Sequence, residues 1–312
     1  MLFRHASVLC AGGLAFGAAA PLIVLSGLDP AAIAVWRLGG AALLFVPFAA
    51  PGSRRELAAL RGRDWALLAA AGVGLGLHFV LFNTGFRMTS YESTVLLLVS
   101  QPLLAAVLGF LLLGEKVTRG MAASVAVGGA GLLLLVGRDW RFDPGHLPGD
   151  AVVLLCSLLM VLVTVFSRTL RQRLAFPRYV ALVFGIAALT SAVYLVADGQ
   201  SLLRTKAGAT GWIALGLLVL IPTLGGHAPF AWAVKHVSAF HVNLVILAEP
   251  VIAIALKVAL RSSFEVFRGS ELTAWQAAGG AVLLAGIAIG IASAREAPRA
   301  PRGTADSRPP RR

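Results

Sequence analysis

Ionisable side chains inside long apolar segments are the rarest feature of this chain, and four stand out: Arg37, His78, His227 and Glu249. A charge at the centre of a membrane helix costs roughly 3 kcal/mol on insertion scales, so each such residue is a candidate for chemistry. Glu249 lies directly before Pro250, well inside an apolar run. A carboxylate there could bind and release a proton, or it could hold the backbone groups that the proline leaves unpaired. His78 and His227 are 149 positions apart; such a pair could relay protons, contact an anionic or aromatic ligand, or simply join neighbouring helices. Gln101 and Thr94 fall two helical turns apart on one face and would line a polar cavity. Asn243 precedes Glu249 by six residues and faces roughly the same way. Arg37 is near one end of its segment, where it could snorkel to water or bind an anion.

These residues need helices across a bilayer to hold them. The 312 residues are 58% hydrophobic and 13% charged, with a mean hydropathy of +0.84, which excludes an ordinary soluble domain. At about 20 residues per crossing, ten spans can be laid out: about 6–25, 31–50, 65–86, 91–113, 118–137, 149–167, 179–197, 211–232, 239–260 and 273–293. The fold class expected is therefore an all-α integral membrane protein. Proline marks breaks within three spans, at Pro102, Pro222 and Pro250. The two cysteines, Cys10 and Cys156, sit in apolar runs and suggest small buried residues. Between the last two spans, Phe264, Val266 and Phe267 among polar neighbours (261–270) suggest a segment resting on the membrane surface.

The layout repeats. Arg87, Ser90, Gln101 and Pro102 recur as Lys235, Ser238, Glu249 and Pro250, each 148 positions later. The chain divides into a first half (1–137), a connection (138–148), a second half (149–293) and a basic, proline-rich tail (294–312) expected to be disordered and cytoplasmic. Five spans per half is an odd number, so the halves are inverted, the arrangement in which a site near the midplane is exposed alternately to each side. Lysine and arginine number 18 on the side of the termini and 8 on the other, with Arg37 in the membrane. Both termini should therefore face the cytoplasm. The same bias accounts for the net charge of +13 without nucleic acid as a partner.

Leu113-Gly114-Glu115 followed by Gly128 and Gly131, and Glu249-Pro250 followed by Glu271, Gly279, Gly280 and Gly286, resemble the EamA-type members of the drug/metabolite transporter superfamily over residues 6–293. That resemblance implies ten transmembrane helices in two inverted repeats. It also implies export of amino acids, aromatic compounds or other small metabolites across the inner membrane, driven by a proton gradient or by exchange. Two departures are visible: glutamine replaces glutamate at 101, and about ten extra residues precede Glu271.

Glu115 and Glu271, each just before a helix, read as structural acids at the positive end of the helix dipole. The glycine rows read as close packing within one chain, with a homodimer as the alternative. No phosphate-binding loop, nucleophile elbow or metal-ligand pattern occurs, so neither an ATPase, an intramembrane enzyme nor a cofactor or metal is expected. The expected function is secondary transport of a small molecule, with a flippase for lipid or lipid-linked sugar as the alternative and an intramembrane enzyme as a remote one.

Overall fold

The computed structural model describes residues 2–98, 100–137 and 143–293, and in these the chain is helical throughout. Nine helices are long and apolar enough to cross a bilayer: Ser7–Ser26, Pro30–Ala49, Gly62–Gly85, Arg119–Val136, Pro144–Leu170, Phe176–Ala197, Gly208–Ala233, Ala239–Leu260 and Ala274–Ser293. In the place of the expected fourth span stand two shorter helices, Tyr91–Leu97 and Ser100–Leu113. We number the spans one to ten accordingly. The tail 294–312 and the first part of the connection, 138–142, lie outside the described residues.

Local chemistry sets the ends. Gly27 takes a left-handed φ of 57° to close the first span, and Pro30 opens the second at its first turn. Thr118 caps the fifth span by accepting from the Met121 N–H at 3.2 Å. The breaks fall where proline demands them. Pro102 and Pro250 lack an N–H and would clash with the carbonyls at Leu98 and Ile246, so fresh helices start at Ser100 and Glu249. Pro222 has a different effect: Val219–His227 widens into a π-helix, with the Thr223 hydroxyl donating to the Leu218 carbonyl at 2.7 Å.

The two halves interlock. Span two packs along span seven and span five along span ten, each pair being equivalent positions in the two repeats. Span three packs on span six, and its counterpart, span eight, packs on span one. Each half thus lends its third helix to the other's first, as a two-fold pseudo-symmetry requires. The five–ten contact is the tightest: a methyl added at Gly131 would strike the backbone of Leu283, and one at Gly279 that of Leu135. Ser124 Oγ donates to the Gly286 carbonyl at 2.7 Å across the same seam. These glycines pack within one chain, as expected.

Candidate functional site

The helices that begin at the proline breaks of spans four and nine bring Gln101 and Glu249 together in the lining of one narrow cavity. Arg37 from span two, His78 from span three and His227 from span eight complete its polar lining. Phe16, Phe79, Phe82 and Met160, none of which sequence pattern singled out, supply most of the apolar wall. Span two contributes Arg37 because its helix packs against the π-helical stretch of span eight: Arg37 Nε donates to Thr223 Oγ1 at 3.1 Å. The guanidinium also lies 4.7 Å from the centroid of the Phe79 ring.

His78 is held from behind, with Nδ1 3.0 Å from the Cys156 carbonyl and 3.1 Å from its sulfur. A carbonyl only accepts, so Nδ1 carries the proton and Nε2 is left as an acceptor. His227 is held by rings, edge-on to Phe16 at 4.5 Å and tilted to Phe79 at 5.0 Å.

Three buried polar atoms in this cavity have no hydrogen-bond partner among the described residues: Arg37 Nη2, Gln101 Oε1 and His227 Nε2. Such atoms cost about 1–3 kcal/mol each if left dry, so their convergence marks a place for a polar ligand or water. Glu249 and Arg37 lie close enough to interact electrostatically, so a donor-rich and an acceptor-rich group share one chamber. Space for the centre of a water-sized sphere is only about 20 Å³, room for one or two waters. The chamber is closed down.

The model of the EamA-like transporter family matches residues 5–137 and again 147–292. The chain belongs to the EamA-like transporter family. No curated protein matches it. A solved structure described as "Crystal structure of protein" is similar at a TM-score of 0.71 and 19% identity, over 94% of this chain and 98% of that one. At that identity the likeness concerns the fold alone. The two EamA matches account for the inverted repeat.

Other candidate residues of this EamA-like protein lie elsewhere. Thr94 is fully buried, donates to the carbonyl of Ser90 just before its helix at 3.0 Å, and does not line the chamber with Gln101. Asn243 is buried against the start of its own helix, donating to the Ala239 carbonyl at 2.9 Å, and does not line the chamber with Glu249. Arg37 does not snorkel; it is 2% exposed, because Thr223 draws it inward. Cys156 is buried but Cys10 is exposed. Phe267 is buried beside Leu25 and Ala214 with Phe264 packed against the same cluster, whereas Val266 is exposed, so the 261–270 segment is anchored in the protein by its two phenylalanines. Among the described residues no group of three His, Cys, Asp or Glu could hold a metal ion.

Glu115 and Glu271 part company. Glu271 is exposed, while Glu115 pairs with Arg168 Nε at 2.9 Å and accepts from the Ala239 N–H at the start of span nine. Its own next helix is capped by Thr118, so Glu115 serves another helix instead. Burial raises the Glu115 pKa, against the opposing pull of Arg168 and the Ala239 amide. Two further ion pairs join the halves at this end: Arg173 to Asp64 at 2.6 Å and Arg178 to Glu56 at 2.9 Å. Arg171 donates to the Ala231 carbonyl at 3.1 Å, and burial lowers its pKa.

Two further cavities continue the line of the chamber. Met160 and His227 also line a narrow space of about 30 Å³ toward the ion-pair end, where Tyr179 is hydrogen-bonded to Ser167. Ile23 and Phe82 also line a much larger space of about 370 Å³ at the opposite end, near the Gly27 turn.

Proposed function

We propose that this protein is a secondary active exporter of small amphipathic metabolites across the plasma membrane, working by alternating access with Glu249 as the proton carrier. The observation that carries the reading is the chamber where both broken helices begin, with Arg37, Gln101, His227 and Glu249 facing one another between the repeats. A ligand with an anionic and a cationic or hydrogen-bonding group would satisfy Arg37 and Gln101 while its apolar part rests on Phe16, Phe79 and Phe82. A proton on Glu249 would then remove its electrostatic attraction for Arg37, coupling occupancy to protonation.

The ion pairs lie on the side of the termini, which the lysine and arginine bias makes cytoplasmic. With those pairs made and the opposite cavity wide, the conformation is read as closed inward and open outward. His78, fixed to Cys156, is a positioning residue in this scheme, and Asn243 and Thr94 are structural.

The test is pH-gradient-driven exchange in liposomes across a panel of labelled amino acids, aromatic amines and nucleosides, with wild type beside Glu249→Gln. Loss of coupling with retained binding is expected for the variant. Equal gradient-driven transport in both proteins would remove Glu249 from the role.

A further inference from the structure

We infer that the segment joining spans two and three is a docking site for anionic phospholipid, holding a phosphate-bearing headgroup at the membrane edge of the ion-pair end. Residues 51–65 carry four arginines, Arg54, Arg55, Arg61 and Arg63, and two acids, Glu56 and Asp64. All four arginines are exposed. Both acids are already engaged by the second half of the chain. Glu56 Oε2 pairs with Arg178 Nε at 2.9 Å and accepts from the Ala175 N–H at 3.0 Å. Asp64 Oδ2 pairs with Arg173 Nη1 at 2.6 Å and accepts from the Arg61 N–H at 2.9 Å. Among the described residues none of the four arginines has an ion-pair partner. Four positive charges within ten residues are left uncompensated.

The local fold turns them outward. Gly52, at a left-handed φ of 69°, leads the chain from span two into the short helix Ser53–Ala58. Leu57 and Leu60 pack against the core, and the Pro51 carbonyl accepts from Arg178 Nη1 at 3.0 Å. With that face seated, Arg54 and Arg55 are on the free one, while Arg61 and Arg63 stand on either side of Gly62, where span three starts. Aromatic side chains fix the depth. Phe48, at the end of span two, is 68% exposed and Trp65, at the start of span three, is 44% exposed, as befits residues at a membrane interface. The arginines between them sit at headgroup level, where the anion they meet is a lipid phosphate. A guanidinium binds phosphate oxygens in pairs. A zwitterionic headgroup brings its own cation beside the phosphate, whereas an anionic one does not, so the excess of arginine selects the anionic lipid. The inference stands whether or not Glu249 carries protons.

Trp65 is the reporter. The full chain is placed in phosphatidylcholine nanodiscs containing a minor fraction of brominated phosphatidylglycerol, with brominated phosphatidylcholine at the same fraction as the comparison. The Trp65 share of the quenching is the difference between wild type and Trp65→Phe. Brominated phosphatidylglycerol should quench that share at a mole fraction about fivefold lower than brominated phosphatidylcholine. Arg54→Gln, Arg55→Gln, Arg61→Gln and Arg63→Gln together should remove the difference, and about 500 mM salt should reduce it. The same four changed to lysine should retain it, which separates charge from misfolding. Equal quenching by the two lipids would overturn the proposal. So would a difference untouched by the four glutamines. An equal loss in Lys116→Gln with Arg119→Gln and Lys235→Gln, exposed basic residues elsewhere at the same end, would reduce the attraction to one of net charge and overturn the site.

Discussion

Replacing Arg168 with alanine should open the ion-pair end. Its Nε meets Glu115 at 2.9 Å, and its Nη1 donates to the Val237 carbonyl, so one side chain ties span six to the loop after span four and to the loop before span nine. The pair is only partly solvated, with 28% of the arginine side chain and 10% of the glutamate exposed. Breaking a fully buried pair costs about 3–5 kcal/mol; discounting for the exposed share gives about 2 kcal/mol. If the loss falls on the closed conformation, the equilibrium shifts about 30-fold. The assay is the labelling rate of Thr164→Cys, on the narrow cavity at the ion-pair end, by a membrane-impermeant maleimide in a Cys10→Ser background. Arg168→Ala should raise that rate by about 30-fold and slow labelling at Val24→Cys, on the opposite cavity. An unchanged rate at Thr164→Cys, in a variant that stays monodisperse, would refute the latch.

Two further outcomes are expected. A methyl at Gly286 would press on the backbone of Gly128 and Ser124, so Gly286→Val should lower stability by about 3 kcal/mol, whereas Gly185→Ala, with nothing within 4 Å, should not lower it; equal thermal midpoints would contradict the seam. Glu115 has a raised pKa in the closed state, so the closed state binds its proton more tightly than a solvated one. The stabilisation is full below the ordinary value of 4.5 and is lost as pH rises through the raised one. Labelling at Thr164→Cys should therefore slow as pH falls into that window, and the slope should vanish in Glu115→Gln.

Spans, repeats and proline breaks were legible because they rest on local properties: apolar length, odd helix number and a missing N–H. Gln101 and Glu249 could be paired from spacing alone, and they do share the chamber. What escaped was set by packing between distant segments. Arg37 turns inward only because span eight widens into a π-helix that presents Thr223, and nothing near Arg37 announces this. Thr94 was placed with Gln101 by assuming one continuous helix, which the break before Pro102 denies. Phe79 and Phe82, one and four residues after His78, were the available signal for the aromatic wall. Glu115 looked like a dipole acid for its own helix, and its real partners lie 53 and 124 residues downstream.

The reach of Arg37 has a consequence for biogenesis. Its partner Thr223 is 186 residues further along the chain. At about 5–20 residues per second of synthesis, the guanidinium waits roughly 10–40 s in or beside the translocon before the eighth span arrives. Through that interval the early spans form an unfinished intermediate, with a cation at membrane depth that a quality-control protease could recognise. Truncations ending before span eight should therefore be degraded quickly, and more slowly when Arg37 is replaced by leucine.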